Sequence, residues 1–224
     1  MPNAPRPAPP KIRRGEARRR ELLAEAARIL LRDGLEGASM DLIASEAGAS
    51  KATLYRHFGD RHGLVVEAVQ YLCADFLSDI QPNAPPGADL RTRLRAILLE
   101  LIRVVLKPSH PDFFRLIVTG ANLAPQIGEA WHTHGPGVWY RLMTDAFEDE
   151  IARGALPAGF DYQDFPEMLF DAVFGDMIIR TAVLREGATV RDPNTRYLDK
   201  LLDLVSQRIE AAVVDDVAEV QSEA

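Results

Sequence analysis

The sequence predicts an all-α protein, and three observations lead to that class. Apolar residues recur at spacings of three and four through most of the 224-residue chain, as on one face of an α-helix. No segment alternates apolar and polar residues convincingly over the length of a strand. Glycine and proline clusters, of which QPNAPPGAD at residues 81–89 is the clearest, separate the helical segments.

The chain begins with a segment rich in proline and arginine, residues 1–14. Five prolines lie within residues 2–10, and proline removes a helix donor and fixes an extended backbone. We therefore expect a flexible arm. A run of lysine and arginine follows between Lys11 and Arg20, and it suits either the exposed start of a helix or a cationic arm close to phosphates.

The first 80 residues predict four helices. The first covers residues 16–32, and Gly34 supplies a left-handed stop. Ser39 is placed to cap a helix of about two turns, MDLIASEA. Ser50 caps a second short helix, KATLYRHF, and Asp60 begins a longer apolar helix.

Two short helices joined by a glycine-containing turn, the second of them starting at a capping serine, form a helix-turn-helix layout. In that motif the second helix enters the major groove of DNA and presents its first turn to the bases. Leu54 and Phe58, spaced i and i+4, then face the core of the module. The remaining side chains of this helix suit base or phosphate contacts: Ser50, Lys51, Ala52, Thr53, Tyr55, Arg56 and His57.

The distribution of charge agrees with a polyanionic partner at the N-terminal end. Residues 1–64 contain 12 basic and 8 acidic residues, a formal charge of +4, although the whole chain carries −7. The remaining residues are correspondingly acidic. A basic N-terminal part on an acidic body assigns the DNA contact to the first 64 residues.

Every later segment is also predicted to be helical. Residues 91–106 place leucines and isoleucines on one face, and Pro108 and Pro111 are expected to end that helix. A further helical stretch is interrupted at residues 135–137. The last two amphipathic helices flank a turn at residues 192–194, and their apolar stripes are of the kind that pairs in a helix bundle: Leu169, Val173, Met177 and Leu184 on one, Leu198, Leu201, Leu202, Val205 and Ile209 on the other.

The stretch GLEGASMDLIASEAGASKATLYRHFGDRHGLVVEAV, residues 34–69, resembles the DNA-binding domain of the tetracycline-repressor (TetR) family of bacterial transcriptional regulators. The match runs from about Arg18 to Gln70. Three places depart from the family pattern: Ala49 replaces the usual Val, Ala52 a frequent Gly, and Arg61-His62 the Lys-Glu that opens the fourth helix.

The resemblance implies a three-helix DNA-binding domain at residues 15–62 and a helical regulatory and dimerisation domain at residues 63–224. It adds two residues to the DNA-binding set, Ser39 as a family-type cap and Arg61 as a phosphate contact. It further implies a ligand-responsive repressor, a homodimer formed through the last two helices, a palindromic double-stranded operator and a small apolar effector that releases it.

The bulky residues of the body leave two interpretations open. The resemblance implies that some of them line an effector pocket, whereas helical spacing alone is more typical of core or dimer interface. The candidates for the pocket are Phe114, Trp131, Trp139, Met143, Phe147, Phe170, Phe174 and Met177.

Other classes of function find less support in the sequence. His110, His132 and His134 raise the question of a metal site, but histidines at i and i+2 of a helix point about 200° apart. We therefore predict no metal and no cofactor. An enzyme that uses these histidines is the weaker alternative, because no nucleophile elbow or phosphate-binding loop is present. An architectural DNA-binding protein without an effector is the other alternative.

The sequence also predicts a cytoplasmic location. No apolar run reaches the roughly 18 residues of a membrane span, and residues 1–20 lack the apolar stretch of a signal peptide. The single cysteine, Cys73, lies in an apolar helical pattern, which favours a buried structural thiol over a redox role.

Overall fold

The computed structural model describes residues 14–186 and 195–222, with side chains for residues 15–186 and 195–214. These residues form α-helices joined by turns, and none of them lies in a β-strand. They fall into two compact units, with the boundary inside one helix between Tyr71 and Leu72. The arm at residues 1–13 and the turn at residues 192–194 lie outside the described residues.

Three helices and most of a fourth make up the first unit: α1 (Arg14–Gly37), α2 (Met40–Glu46), α3 (Lys51–Phe58) and α4 (Arg61–Leu77). Their boundaries follow local signals in the sequence. Gly34 breaks the helical backbone of α1 at φ +70°, a conformation that L side chains rarely adopt. Ser39 and Ser50 cap α2 and α3, and the Asp60 carboxylate accepts the Gly63 amide at 2.8 Å in the first turn of α4.

Apolar side chains from all four helices form the core of this unit. Leu22, Ile29 and Leu30 of α1 are almost wholly buried, as are Ile43 of α2 and Leu54 of α3. This burial confirms the apolar spacing of the sequence, and it leaves the polar face of each short helix outside.

Six helices form the second unit together with the end of α4: α5 (Leu90–Val105), α6 (His110–Ala121), α7 (Pro125–His134), α8 (Pro136–Ala152), α9 (Phe165–Ile178) and α10 (Thr195–Ser222). The central helix is α5, which packs against α8, α9 and α10. Pro111 lies in the first turn of α6, where its missing N–H costs nothing, and Gly135 separates α7 from α8.

The apolar stripes of the last two helices are the point where the structure corrects the sequence analysis. Three residues of the α9 stripe, Leu169, Val173 and Met177, are buried within their own protomer. So are Leu198, Leu202 and Val205 of α10. Since these side chains already pack inside one chain, they belong to the protomer core and are not the surface that a second subunit would cover.

One stripe residue, Leu184, and further apolar residues outside the predicted stripes are exposed on these elements. The chain continues from α9 into a π-helical turn, Ile179–Val183, which changes the face that its side chains present. Ile179, Val183 and Leu184 are more than half exposed, as is Leu204 on α10.

Candidate nucleic-acid interface

Two buried side chains and the residues at both ends of helix α3 fix its position. Leu54 is completely buried and Phe58 nearly so, which fixes one face of the helix to the first unit. At its start the Ser50 hydroxyl accepts the Thr53 amide at 3.1 Å and lies 2.9 Å from the Thr53 hydroxyl. Gly59 ends the helix at φ +78°. The orientation of α3 is therefore set by its own caps and its two buried residues.

The opposite face of α3 is open to solvent and carries the predicted DNA-binding residues. Lys51, Ala52, Tyr55 and Arg56 are exposed, whereas Thr53 and His57 are half-buried. Tyr55 leaves 46% of its surface exposed, which is high for an aromatic residue. The structure thus brings a cation, a phenol and a guanidinium onto one accessible surface.

The turn before α3 is stabilised by an arginine that lies about thirty positions earlier in the sequence. Gly48 adopts φ +57°, so the turn uses the freedom of glycine. The Arg18 guanidinium donates to the Ala47 carbonyl at 2.8 Å and to the Gly48 carbonyl at 3.1 Å. It satisfies carbonyls at the end of α2 that have no helical partner, and thereby ties α1 to the turn.

Lys51 has an acidic neighbour that the sequence analysis did not identify. Its ammonium lies 2.7 Å from the carboxylate of Asp41, in the first turn of α2, and both side chains are largely exposed. This ion pair raises the pKa of Lys51 above its usual value. A phosphate would have to compete with Asp41 for the lysine.

Most other cations of the first unit are already engaged. Arg28 and Arg32 of α1 both bind the Glu46 carboxylate, at 2.6 and 2.8 Å, and the shared charge lowers the pKa of Glu46. Arg19 pairs with Glu67 and lies 5.1 Å above the ring of Phe58. These arginines hold the helices together.

The two remaining predicted residues outside α3 are in part occupied by intramolecular bonds. The exposed Arg61 donates from one guanidinium nitrogen to the Leu35 carbonyl. Ser39 accepts the Leu42 amide at 3.1 Å as the cap of α2. Within the described part of the first unit, Arg20 and Arg56 form neither an ion pair nor a side-chain hydrogen bond, so their charges are directly available.

The effector-pocket candidates divide into two groups in the second unit. Trp131, Trp139, Phe170 and Phe174 line one small aromatic cavity of about 30 Å³. Phe114 contacts Trp131 and Phe174 from beside it, with ring centroids 6.2 and 5.6 Å apart. The other three candidates are buried and do not line this cavity: Met143, Met177 and Phe147, which stacks with Tyr162 and Phe165.

Nine further residues line the cavity and were not among the predicted pocket residues; they include the aromatic Phe76 of α4, and His110 and Phe113 of α6. His110 is 5% exposed, and its Nδ1 has no hydrogen-bond partner among the residues that the structure describes. Burial and the charge of Lys107 lower the pKa of His110 to about 4. Burial also raises the pKa of the Cys73 thiol, another lining residue, to about 12.

The histidines considered for a metal site lie apart. His132 and His134 are exposed on α7, whereas His110 is buried among aromatic rings. No group of three metal-ligating side chains occurs among the residues that the structure describes. Two larger clefts, of about 390 and 320 Å³, lie open on the surface of the second unit, and ion-paired arginines such as Arg93 and Arg103 line them.

Two family models match this chain. Residues 22–68 match bacterial regulatory proteins of the tetR family, and residues 84–205 match the tetracyclin repressor-like C-terminal domain. The first range contains α2 and α3 in full. No helix in the described ranges is both long enough and apolar enough to cross a membrane.

Two curated proteins and one crystal structure illustrate the similarity. The DNA-binding transcriptional repressor TetR of Mycobacteroides abscessus is 34% identical over 130 residues, 57% of this chain and 65% of that protein. The transcriptional activator FasR of Mycolicibacterium smegmatis is 35% identical over 143 residues, 62% of this chain and 60% of that protein. The chain therefore spans less than two thirds of either relative.

The crystal structure is that of a TetR-family transcriptional regulator from Mesorhizobium loti. It aligns with a TM-score of 0.69 at 24% identity, and the alignment covers 86% of this chain and 96% of that one. At this identity the similarity shows a common fold.

Proposed function

Since the chain belongs to the tetracycline-repressor family of bacterial regulatory proteins, we propose that it is a dimeric transcriptional regulator that reads DNA through α3. The observation that carries the proposal is the exposed face of α3, on which Lys51, Tyr55 and Arg56 stand while Leu54 and Phe58 hold the helix in place. A capped short helix with such a face fits the major groove. The protein then acts by binding and not by catalysis, as a cytoplasmic protein.

The predicted interface residues take distinct roles in this proposal. Lys51, Ala52 and Thr53 occupy the first turn of α3 and approach base edges, and the Lys51 ammonium also contacts a phosphate. Ser39, Ser50, Tyr55, Arg56, His57 and Arg61 surround them and contact phosphates, which fix position and carry no sequence information. We assign the DNA-binding role to residues 15–62 and the regulatory and dimerisation roles to residues 63–224.

A homodimer would form through the exposed apolar residues of the last two helical elements. Val183 and Leu204 are 68% and 64% exposed, and covering such apolar side chains with a second subunit removes their surface from water, which favours association. A two-fold dimer places two copies of α3 in equivalent positions, so its operator is an inverted repeat of two half-sites.

Control by a small effector completes the proposal. Helix α4 begins directly after α3, and Phe76 near its end forms part of the aromatic cavity. A ligand that prefers the conformation in which Phe76 is displaced would shift the protein away from its DNA-binding state. The similar proteins include both a repressor and an activator; we propose a repressor that the effector releases.

Selection from a random pool of DNA duplexes tests the DNA-binding claim. The protein should retain an inverted repeat whose half-sites lie one helical turn apart, or a multiple of it. The matched control is a Lys51→Ala/Arg56→Ala variant passed through the same pool, which should enrich the repeat far less. Recovery of duplexes without a common sequence would contradict a sequence-specific regulator and favour an architectural DNA-binding protein.

A further inference from the structure

We propose that the aromatic cavity of the second unit binds an uncharged aromatic molecule with a hydroxyl group, and that His110 is its polar anchor. The inference rests on the proposed ligand-controlled function and names the chemical class of the ligand. It depends on three properties of the cavity: one buried nitrogen without a partner, walls of aromatic rings, and a lining without charge.

The unpartnered nitrogen supplies the polar half of the recognition. His110 is buried, lines the cavity, and its Nδ1 has no hydrogen-bond partner. Buried polar groups in proteins are nearly always paired, and those that are not call for an explanation. A hydroxyl satisfies Nδ1 in either neutral tautomer, because it donates to a bare nitrogen and accepts from an N–H.

The aromatic walls of the cavity favour a flat aromatic ligand. Six aromatic side chains line the space: Phe76, Phe113, Trp131, Trp139, Phe170 and Phe174. These rings and the His110 imidazole already form stacked and edge-to-face pairs. The ring centroids of the stacked pair Phe76 and Phe113 are 5.0 Å apart, and those of the edge-to-face pair Phe76 and His110 are 5.3 Å apart. An aromatic guest can continue both kinds of contact, which favours rings over aliphatic chains.

The lining excludes ions. Among the residues that the structure describes, no charged side chain lines the cavity, and the two titratable groups that do, Cys73 and His110, are neutral near pH 7. The nearby ammonium of Lys107 is engaged by the Phe76 carbonyl at 2.9 Å. A carboxylate or ammonium ligand would lose its hydration without gaining a counterion, so a neutral molecule binds best.

The size of the cavity makes binding depend on side-chain movement. About 30 Å³ holds a water-sized molecule, whereas an apolar cavity that accepts benzene measures about 150 Å³. Trp131 and Phe174 are only half-buried and contact one another at 5.9 Å between centroids. These two side chains have room to turn outward, so a ring-sized guest opens the cluster as it binds.

A titration with three matched probes tests the inference. We would add p-cresol, toluene and 4-methylbenzoate to the full-length protein and follow the indole N–H signals by NMR. The chain has two tryptophans, Trp131 and Trp139, and both line the cavity. We expect p-cresol and toluene to shift both signals at saturation, and 4-methylbenzoate to shift neither.

The decisive quantity is the preference for p-cresol over toluene, measured as the ratio of dissociation constants. Loss of the hydrogen bond in His110→Phe should reduce that preference about tenfold. His110→Asn keeps a polar atom near the position of Nδ1 and should retain part of it. His132→Phe makes the same change at an exposed histidine and should leave the ratio within about threefold.

A measurement on the wild-type protein keeps the inference testable even if His110→Phe does not fold. In the wild-type protein, p-cresol should shift the Nδ1 signal of the His110 imidazole in a nitrogen-15 spectrum, and toluene should not. An unchanged ratio in a folded His110→Phe protein, or no Nδ1 shift with p-cresol, overturns the inference. Operator binding by the unliganded protein is measured in parallel. If the protein binds its operator but the ligand results are negative, only the assignment of the ligand fails. If the protein does not bind an operator, the proposed function fails.

Discussion

At the scale of single residues, burial decides what each group can do. Arg28 and Arg56 carry the same charge, but Arg28 is neutralised by two carboxylates, whereas Arg56 faces solvent. His110 and His57 are likewise the same residue in opposite surroundings, since His110 is enclosed by aromatic rings and His57 is half-exposed on α3. Charge and residue type in the sequence predict the possible chemistry, and the neighbours select among the possibilities.

The depressed pKa of His110 predicts a specific dependence of stability on pH. Its pKa is about 4 in the folded protein against an ordinary value of about 6.5, so the unfolded chain binds a proton first as pH falls. This difference lowers the free energy of unfolding at acidic pH. The loss is nearly absent above about pH 6.5, reaches about 2 kcal/mol at pH 5, and is almost complete below about pH 4.

Denaturant titrations at pH 7.5 and pH 5 measure this effect by comparison with His110→Phe. The free energy of unfolding of the wild type should fall by about 2 kcal/mol more than that of the variant between these two pH values. Carboxylate titration is common to both proteins and cancels in the comparison. Parallel losses in the two proteins would show that His110 does not bear the proposed penalty.

Lys51→Ala is predicted to weaken operator binding about tenfold and to reduce the slope of log affinity against log salt by about 1. The reason is that Lys51 exchanges Asp41 for a phosphate and releases one counterion. Fluorescence anisotropy at salt concentrations between about 50 and 200 mM gives the slope. Arg32→Ala is the control and should keep the wild-type slope, because Glu46 and Asp33 already neutralise that cation. Equal slopes in Lys51→Ala and the wild type would show that Lys51 does not contact a phosphate.

At the scale of elements, local chemistry sets the beginnings and ends of the short helices. Ser39, Ser50 and Asp60 each accept an amide in the first turn of their helix, and Gly34, Gly48 and Gly59 take positive φ where the chain must turn. Each of these features acts over only a few residues. For that reason the bounds of α2 and α3 were predictable from the sequence.

Contacts between distant residues were not predictable in the same way. The hydrogen bonds from Arg18 to the turn join residues that are about thirty positions apart, and the pair of Asp41 and Lys51 depends on how α2 meets α3. An apolar stripe shows that one face of a helix is buried, but not against what. Six of the nine stripe residues of the last two helical elements are buried inside the protomer and Leu184 is exposed, so the stripes mark mainly the protomer core, and a homodimer through these elements stays a prediction.

Removal of the cap of α3 should destabilise the first unit. Ser50→Ala removes the side-chain acceptor of the Thr53 amide, which keeps only the Ser50 carbonyl at 2.9 Å, and should lower the free energy of unfolding by about 1 kcal/mol. Hydrogen exchange at the Thr53 amide should become faster in the same variant. Ser45→Ala, an exposed serine inside α2, is the matched control and should change neither quantity appreciably. Unaltered exchange at Thr53 would show that Ser50 is not the effective cap.

At the scale of the whole molecule, the chain combines a capped helix α3 whose exposed face carries Lys51 and Arg56 with a second unit that encloses a small aromatic cavity. The fold class and the family followed from the sequence, because helical periodicity and the motif around α3 are local patterns. The full lining of the cavity did not, since Phe76 of α4 and His110 of α6 meet the predicted candidate Trp131 of α7 only in the folded chain.

The exposed apolar residues predict where the dimer forms. Val183→Glu together with Leu204→Glu should yield a monomer, because two charges would be buried in each copy of the interface. Light scattering after gel filtration should give twice the chain mass of 24.8 kDa for the wild type and a single chain mass for the variant.

Leu123→Glu is the control for this experiment. Leu123 is 66% exposed, much like Val183 and Leu204, but lies after α6 and away from the last two helical elements in the sequence. The control should remain a dimer with unchanged helix content. A dimer that survives the paired change in Val183 and Leu204 would place the interface elsewhere.

The central claim, that α3 reads DNA sequence, is tested most directly by the specificity ratio, the affinity for the selected operator divided by that for a scrambled duplex at one salt concentration. The wild type should show a ratio of at least about 10³. Lys51→Ala/Thr53→Val removes the polar groups of the first turn and should lower the ratio by about two orders of magnitude, with affinity for the scrambled duplex reduced far less. A folded, dimeric variant with the ratio of the wild type would contradict the claim.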